Sequence, residues 1–439
     1  MLRLFVRVLI PLSAVAGFAA TVPPAAPVFY RDVLPVLQQH CQECHRPHEI
    51  APFSLTDYKS VRPWAKAIRA AVLTGKMPPW FADPAYGHFA NDRSLTRAEV
   101  ATLVAWADAG APAGNIKDSP PPKKWVDGWN IPAPDVVLEM PHPFDVPASG
   151  EVDYQYIVIP TGFTEDKWVQ MVEMHPAERS VVHHVVVFIR PPGSKWLRGE
   201  AEPGIPFVPP KRREDGSPRS DISGNNGQNE VLTIFTPGMA PDIWAPGVGK
   251  RIPAGSDLVF QIHYTPNGKA VRDQGRIGMV FAKEPPAARS VTLMPANLSF
   301  KIPPGDPNYR VDMKATLPNG ATILSLFPHM HLRGKAFEYR VTYPDGKTET
   351  LLRVPRYDFH WQLSYKLEKP VVLPPGTRFE CTAWFDNSPN NPWNPDPTAE
   401  VRWGEQTREE MMIGFVDVEM PAAMTMREFF SSKKKPAGD

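Results

Sequence analysis

Fifty-three prolines spread through 439 residues constrain this chain more than any other feature. Proline has no amide hydrogen to give to a helix interior or a central strand, so it belongs in turns and at edges. A chain interrupted this often is expected to be loop-heavy and built mostly from short strands. Apolar runs with that form are Tyr154 to Ile159, Trp168 to Val172, Val181 to Ile189, Leu258 to Tyr264 and Arg276 to Phe281. A second series follows at Tyr309 to Ala315, Thr322 to Phe327, Phe337 to Thr342, Gln362 to Tyr365, Arg378 to Trp384 and Met412 to Val418. Short strands at regular spacing, separated by Pro/Gly turns, predict two all-β sandwiches of jelly-roll-like form. Glu284-Pro285-Pro286 is the best boundary, giving one sandwich over 131–285 and another over 286–425. Within the first, Pro191 to Gly255 is rich in Gly, Pro, Asn and charge, and reads as a long insertion.

The start of the chain differs. Arg3 and Arg7 precede an apolar stretch from Val8 to Phe18 and then Ala19-Ala20, the layout of a signal peptide over residues 1–20. The apolar run is shorter than the ~20 residues of a spanning helix. The mature protein is therefore expected to be exported, periplasmic or secreted, with no stable membrane span; a retained anchor is the alternative. Net charge is +1, from 48 basic and 47 acidic residues, which gives no electrostatic footprint for nucleic acid. Residues 116–130 form a proline-rich linker and residues 426–439 a polar tail.

Residues 21–115 read as helical. Val33, Val36 and Leu37 share one face leading into Cys41, and Val61, Trp64, Ile68 and Val72 recur at helical spacing. Thr96-Arg97-Ala98-Glu99 is a capping box that opens a third helix, which Gly110 closes. Between these lies Cys41-Gln42-Glu43-Cys44-His45. In Cys-x-x-Cys-His the two thiols add to the vinyl groups of haem and the histidine becomes an iron ligand. A redox dithiol would need a βαβ setting and a zinc site a second pair, and neither context is present. The third cysteine, Cys381, has no spare partner and reads as a buried strand residue. A small helical domain with this motif near its start resembles a class I cytochrome c. That resemblance implies one covalent haem c, with Met77 in Gly75-Lys76-Met77-Pro78-Pro79-Trp80 as the sixth ligand. His48 and His88 are weaker candidates.

The β region carries its own metal-binding residue types. His329 and His331 flank Met330 at the end of the run Ile323 to Phe327, and residues two apart in a strand point the same way. Two imidazoles suit copper, zinc, iron or nickel, so the pair alone does not choose the metal. His183-His184 lies inside another run and His263 ends a third. Adjacent strand residues face opposite ways, so His183 and His184 can share an ion only if the backbone kinks or their rings use different nitrogens. His142, His175 and His360 read as structural or surface residues.

Taken in order, His-His, a lone His, His-x-His and then Glu409-Glu410-Met411 resemble the copper type II, ascorbate-dependent monooxygenases, the family of peptidylglycine and dopamine monooxygenases. The resemblance covers roughly residues 130 to 420. It implies two copper ions: His183, His184 and His263 at an electron-storing site, and His329, His331 and Met411 at the catalytic site that activates O2, with Met412 a rival for the thioether. It also implies an open, solvent-filled cleft between the two sites. The activity it implies is hydroxylation of a substrate C–H bond, with electrons from an external donor such as ascorbate, a quinol-linked donor or another cytochrome, relayed through the haem. The alternative is a haem/copper electron-transfer or copper-binding protein without oxygenase activity. Where peptide-amidating members carry polar substrate anchors, this chain has Phe327, Ile413 and Phe415. The substrate is therefore expected to be small and apolar or aromatic.

Overall fold

The computed structural model describes residues 26–431 except 48, 127, 201 and 211–228. The stretch read as a signal peptide, His48 and the tail from residue 432 lie outside the described residues. No helix among those described is long and apolar enough to cross a membrane.

The protein is mostly β-sheet, with few helices. Helices Leu34–His40, Tyr58–Val61, Ala65–Leu73 and Arg97–Asp108 gather around a small core that includes Phe29, Leu37, Val61, Leu103 and Trp106. The capping box forms as its sequence requires: Glu99 N donates to Thr96 Oγ1 at 3.2 Å and Thr96 N to Glu99 Oε2 at 2.7 Å. Trp64, expected on the buried face, instead stacks on Phe53 beside a cavity, with ring centroids 4.0 Å apart. The proline-rich linker turns back onto these helices, where the Arg46 guanidinium lies 4.2 Å above the Trp125 ring.

The first sandwich opposes two antiparallel sheets. One has the order Gln155–Pro160, Asp257–Tyr264, Val182–Arg190, Glu230–Phe235. Facing it are Val136–Glu139, Arg276–Phe281, Lys167–His175 and Val248–Ile252. Val185, Val187, Phe260 and Ile262 pack inward against Val169, Val172 and Met279. The stretch expected to be an insertion supplies strands Glu230–Phe235, Asp242–Ile243 and Val248–Ile252. Turn-forming residues around these short strands concealed them in the sequence.

The second sandwich has the same plan. Ala288–Leu293, Ile413–Pro421, Ala321–His329 and Tyr365–Leu373 face Tyr309–Thr316, Arg378–Phe385, Gly334–Thr342 and Thr348–Val354. Cys381 is fully buried among this core. The run Gln362 to Tyr365, expected as a strand, is loop up to Ser364, and the edge strand begins at Tyr365, tolerating Pro370.

No strand spans 282–287, yet the sheet does not stop there. Val248–Ile252 pairs in parallel with Ala288–Leu293, joining one sheet of each sandwich edge to edge. Elsewhere the two sandwiches press face to face. Tyr154, Tyr156, Val186 and Phe188 of the first pack against Phe327, Met411, Ile413 and Phe415 of the second. The strand Val182–Arg190 is buried at every position because both of its faces are covered. The helical part docks on the second sandwich, with Ala90 N donating to Lys366 O at 2.8 Å and Glu368 N to His88 O at 2.9 Å.

Candidate metal centre and the cavity beside it

A local irregularity brings His183 and His184 to one side. The pairing register with strand Asp257–Tyr264 is Val182 to Tyr264 and then His184 to His263, with a bulge between. The extra residue is His183. A bulge re-aims a side chain that regular alternation would send to the opposite face. Val182 therefore points into the first core while both imidazoles leave it.

The Nδ1 atom of His183 lies 3.0 Å from that of His184 and 3.2 Å from that of His263. Nitrogens that bind one ion at about 2.0 Å stand roughly 3 Å apart. His183 Nε2 donates to the Phe359 carbonyl at 2.9 Å, leaving its Nδ1 lone pair free. His263 Nε2 lies 3.3 Å from Thr407 Oγ1. His184 Nε2 is buried with no hydrogen-bond partner, a costly arrangement for an imidazole that serves only as packing.

On the facing sandwich, His329 and His331 leave the strand Ala321–His329 on the same side as Phe327, while Met330 turns into the second core. His329 Nδ1 is 2.6 Å from Gln362 Oε1 and His331 Nδ1 is 3.1 Å from the Glu409 carbonyl, so both present Nε2 outward. The His-x-His turn is fastened by Glu410, which accepts from His331 N at 2.9 Å and Arg333 N at 2.6 Å. Burial pushes the Glu410 carboxyl up to about 8. Met411 lies on the face between the sandwiches, with Phe327 and Phe415. Met412 turns the other way, into the second core beside Met330.

The two histidine sets are not separated by an open cleft. Both are buried, none of the five side chains more than 9 % exposed, and the His184 and His329 rings meet edge to face at 5.7 Å. Tyr154 fills the space between them. Its ring is 4.6 Å from that of His263 and its hydroxyl 3.4 Å from His331 Nε2. Burial drives His183 down to about 3 and His329 down to about 4, and takes His184, His263 and His331 well below the ordinary histidine value. All five are neutral imidazoles at neutral pH, the form that binds metal.

The Cys-x-x-Cys-His motif opens onto a cavity of about 800 Å³ lined by Cys41, Cys44, His45, Met77 and Trp80, and closed on the β side by Gly238 and Trp361. This volume lies in the range of cofactor sites. His45 Nδ1 is 3.2 Å from the Phe53 carbonyl, leaving Nε2 for the cavity. Burial raises the Cys41 thiol to about 12 and Cys44 to about 11, so neither is a thiolate at neutral pH, unlike a redox dithiol. His88 is exposed and does not line the cavity.

Of the other histidines, His40 lines the same cavity, its Nε2 3.1 Å from Glu99 Oε1. His142 is exposed, His175 pairs with Glu173 at 2.8 Å and His360 with Asp358 at 3.2 Å. Tyr154, Phe359, Gln362 and Thr407 carried no motif, and only tertiary structure brings them to the imidazoles.

No protein-family model matches this chain, and no curated protein does. Among solved structures it is similar to the VP2 subviral particle of infectious bursal disease virus, at 7% identity over 67% of this chain and 74% of that one, with a TM-score of 0.20. It is also similar to the N-terminal CBM22-1-CBM22-2 tandem domain of Paenibacillus barcinonensis Xyn10C, at 7% identity over 66% of this chain and 98% of that one, with a TM-score of 0.15. Similarity at that level carries no argument.

Proposed function

We propose that the chain is an exported haem–copper monooxygenase that uses O2 to hydroxylate a C–H bond of a small apolar or aromatic substrate. The observation that carries this reading is the gathering of five buried, neutral imidazoles with no acidic ligand among them, at the junction of two sandwiches. A hydrophobic core gains nothing from that many imidazoles, whereas copper takes them readily.

His183, His184 and His263 would hold one copper through Nδ1. His329 and His331 would hold a second through Nε2, with the Met411 thioether favouring the cuprous state. Copper so bound supplies one-electron redox chemistry at the first site and O2 activation at the second. The Phe359 carbonyl, the Gln362 amide and the Glu409 carbonyl each take a ring N–H, fixing which nitrogen of His183, His329 and His331 faces the metal. Glu410 holds the backbone of the His-x-His turn. Phe327 and Phe415, with rings 5.7 Å apart, and Ile413 make the neighbouring wall apolar, which supports a substrate without a charged anchor.

Cys41 and Cys44 would hold haem c covalently and His45 and Met77 would bind its iron, a group that would supply one-electron transfer from ascorbate, a quinol-linked donor or another cytochrome. A class I cytochrome c reading of residues 21–115 is supported by the motif and by the cavity it lines.

One observation favours the second reading, an electron-transfer or copper-binding protein without oxygenase activity: both histidine sets are buried. Metal analysis with CO binding to the reduced protein separates the two. Two coppers per chain with CO on one of them is the expected result. Copper closed to CO and azide, with no O2 consumption in a screen of apolar compounds, would favour electron transfer, and absence of copper would end both.

A further inference from the structure

We infer that the loop between strands Thr348–Val354 and Tyr365–Leu373 conducts electrons from the cavity to the histidine cluster, with Trp361 as its entrance. The inference rests on the haem and copper reading above. It goes beyond that reading by naming the route.

The loop touches the cavity and both histidine sets. Trp361 and Leu363 line the cavity wall. Gln362, between them, does not line the cavity, and its Oε1 lies 2.6 Å from His329 Nδ1. Two residues before Trp361, the Phe359 ring stacks on His183 at 4.7 Å and its carbonyl accepts from His183 Nε2 at 2.9 Å. Consecutive α-carbons are about 3.8 Å apart. A side chain on the cavity wall is therefore one peptide unit from the residue bonded to His329, and two from the residue bonded to His183.

The loop is also held in place. The Tyr357 hydroxyl accepts from Met330 N at 3.1 Å and donates to Met330 O at 2.8 Å, gripping the residue between His329 and His331. Trp361 N donates to the Asp358 carbonyl at 3.0 Å, and His360 bonds to Asp358. At the other end, Asn91 Nδ2 donates to Ser364 O at 2.8 Å, tying the loop to the helical part. Electron tunnelling decays more slowly along covalent and hydrogen bonds than across a gap, and this route has both at each exit.

With haem and copper bound, one electron passing along the loop would leave ferrous iron ferric and one cupric ion cuprous. One electron moves, no bond is made or broken, and no proton is required.

The test uses full-length protein carrying haem and copper, without oxygen. Haem is reduced by a light pulse and its reoxidation followed by absorbance in wild type, Trp361→Leu and Trp361→Phe. Haem reduction potential, and copper affinity of the haem-loaded, copper-free protein, are measured beside it. The expected result is reoxidation at least tenfold slower in Trp361→Leu, near the wild-type rate in Trp361→Phe, with potential and copper affinity unchanged in both. Wild-type speed in Trp361→Leu, or slowing that tracks a changed potential or copper affinity, overturns the inference and leaves the haem–copper reading standing. Wild-type protein that holds no haem or no copper overturns that reading and the inference together.

Discussion

His184 of the first sandwich and His329 of the second meet edge to face, their ring centroids 5.7 Å apart. Two sets of histidines that the family resemblance would place across open solvent are here neighbours inside one protein interior. The apolar contact of Tyr154, Val186 and Phe188 with Phe327, Ile413 and Phe415 holds the sandwiches at this distance. Each set of imidazoles therefore contributes to the other's surroundings.

Met411 and Met412 are adjacent but serve different volumes. Met411 lies on the histidine side and Met412 in the second core. Met412→Leu roughly conserves volume and is expected to cost less than about 1.5 kcal/mol, with copper content unchanged. Met411→Leu is expected to abolish or sharply weaken CO binding to the reduced protein. Infrared spectra of the CO adduct and metal analysis compare the two, and identical behaviour would contradict the assignment.

Gln362 is the hydrogen-bond acceptor at His329 Nδ1. Leucine at this position leaves the ring free to turn and removes the acceptor that raises its basicity. Loss of such support costs metal sites about 10- to 100-fold in affinity. Copper titration against a competing chelator should show that loss in Gln362→Leu at one of the two sites and not at the other.

Gly238 closes the cavity over the cysteine motif with a φ of +78°, and a Cβ there would stand 2.9 Å from Cys44 Sγ and 3.0 Å from Arg93 Nη1. Alanine meets both a left-handed backbone, at about 1–2 kcal/mol, and the sulfur to which the proposed haem would attach. Gly238→Ala is expected to carry less than about half the wild-type haem per chain, a loss out of proportion to that backbone cost. Soret absorbance per mole of protein reads this directly.

Asp166 accepts from Ala254 N and from Arg251 Nε, each at 2.9 Å, and these bonds hold its carboxyl below the usual carboxylate range. The folded carboxyl loses its proton at lower pH than the unfolded one, so its stabilisation is complete above about pH 4 and disappears as pH falls through the folded value. Both partners are 40% exposed, and solvent screening keeps the pair to about 1 kcal/mol or less. Urea unfolding of Asp166→Asn should show a deficit of that size at pH 7 and a shrinking one on acidification.

Much of the fold was legible along the chain because it depends on local chemistry. Alternating apolar residues between prolines marked most strands of both sandwiches, and Thr96 with Glu99 marked a helix start that forms with both expected bonds. The residue types able to bind haem and metal were equally plain, since Cys-x-x-Cys-His and His-x-His are contiguous. What escaped was set by partners distant in sequence. Strands Glu230–Phe235 and Val248–Ile252 are as long as others that were legible but sit among turn-forming residues, and they form because Val182–Arg190 and Lys167–His175 offer them open edges. The bulge that turns His183 to the side of His184 depends on its register against Tyr264 and His263, some eighty residues away. Tyr154, Phe359 and Gln362 reach the imidazoles only once two sandwiches have closed on each other, because that contact joins surfaces whose residues share no sequence pattern.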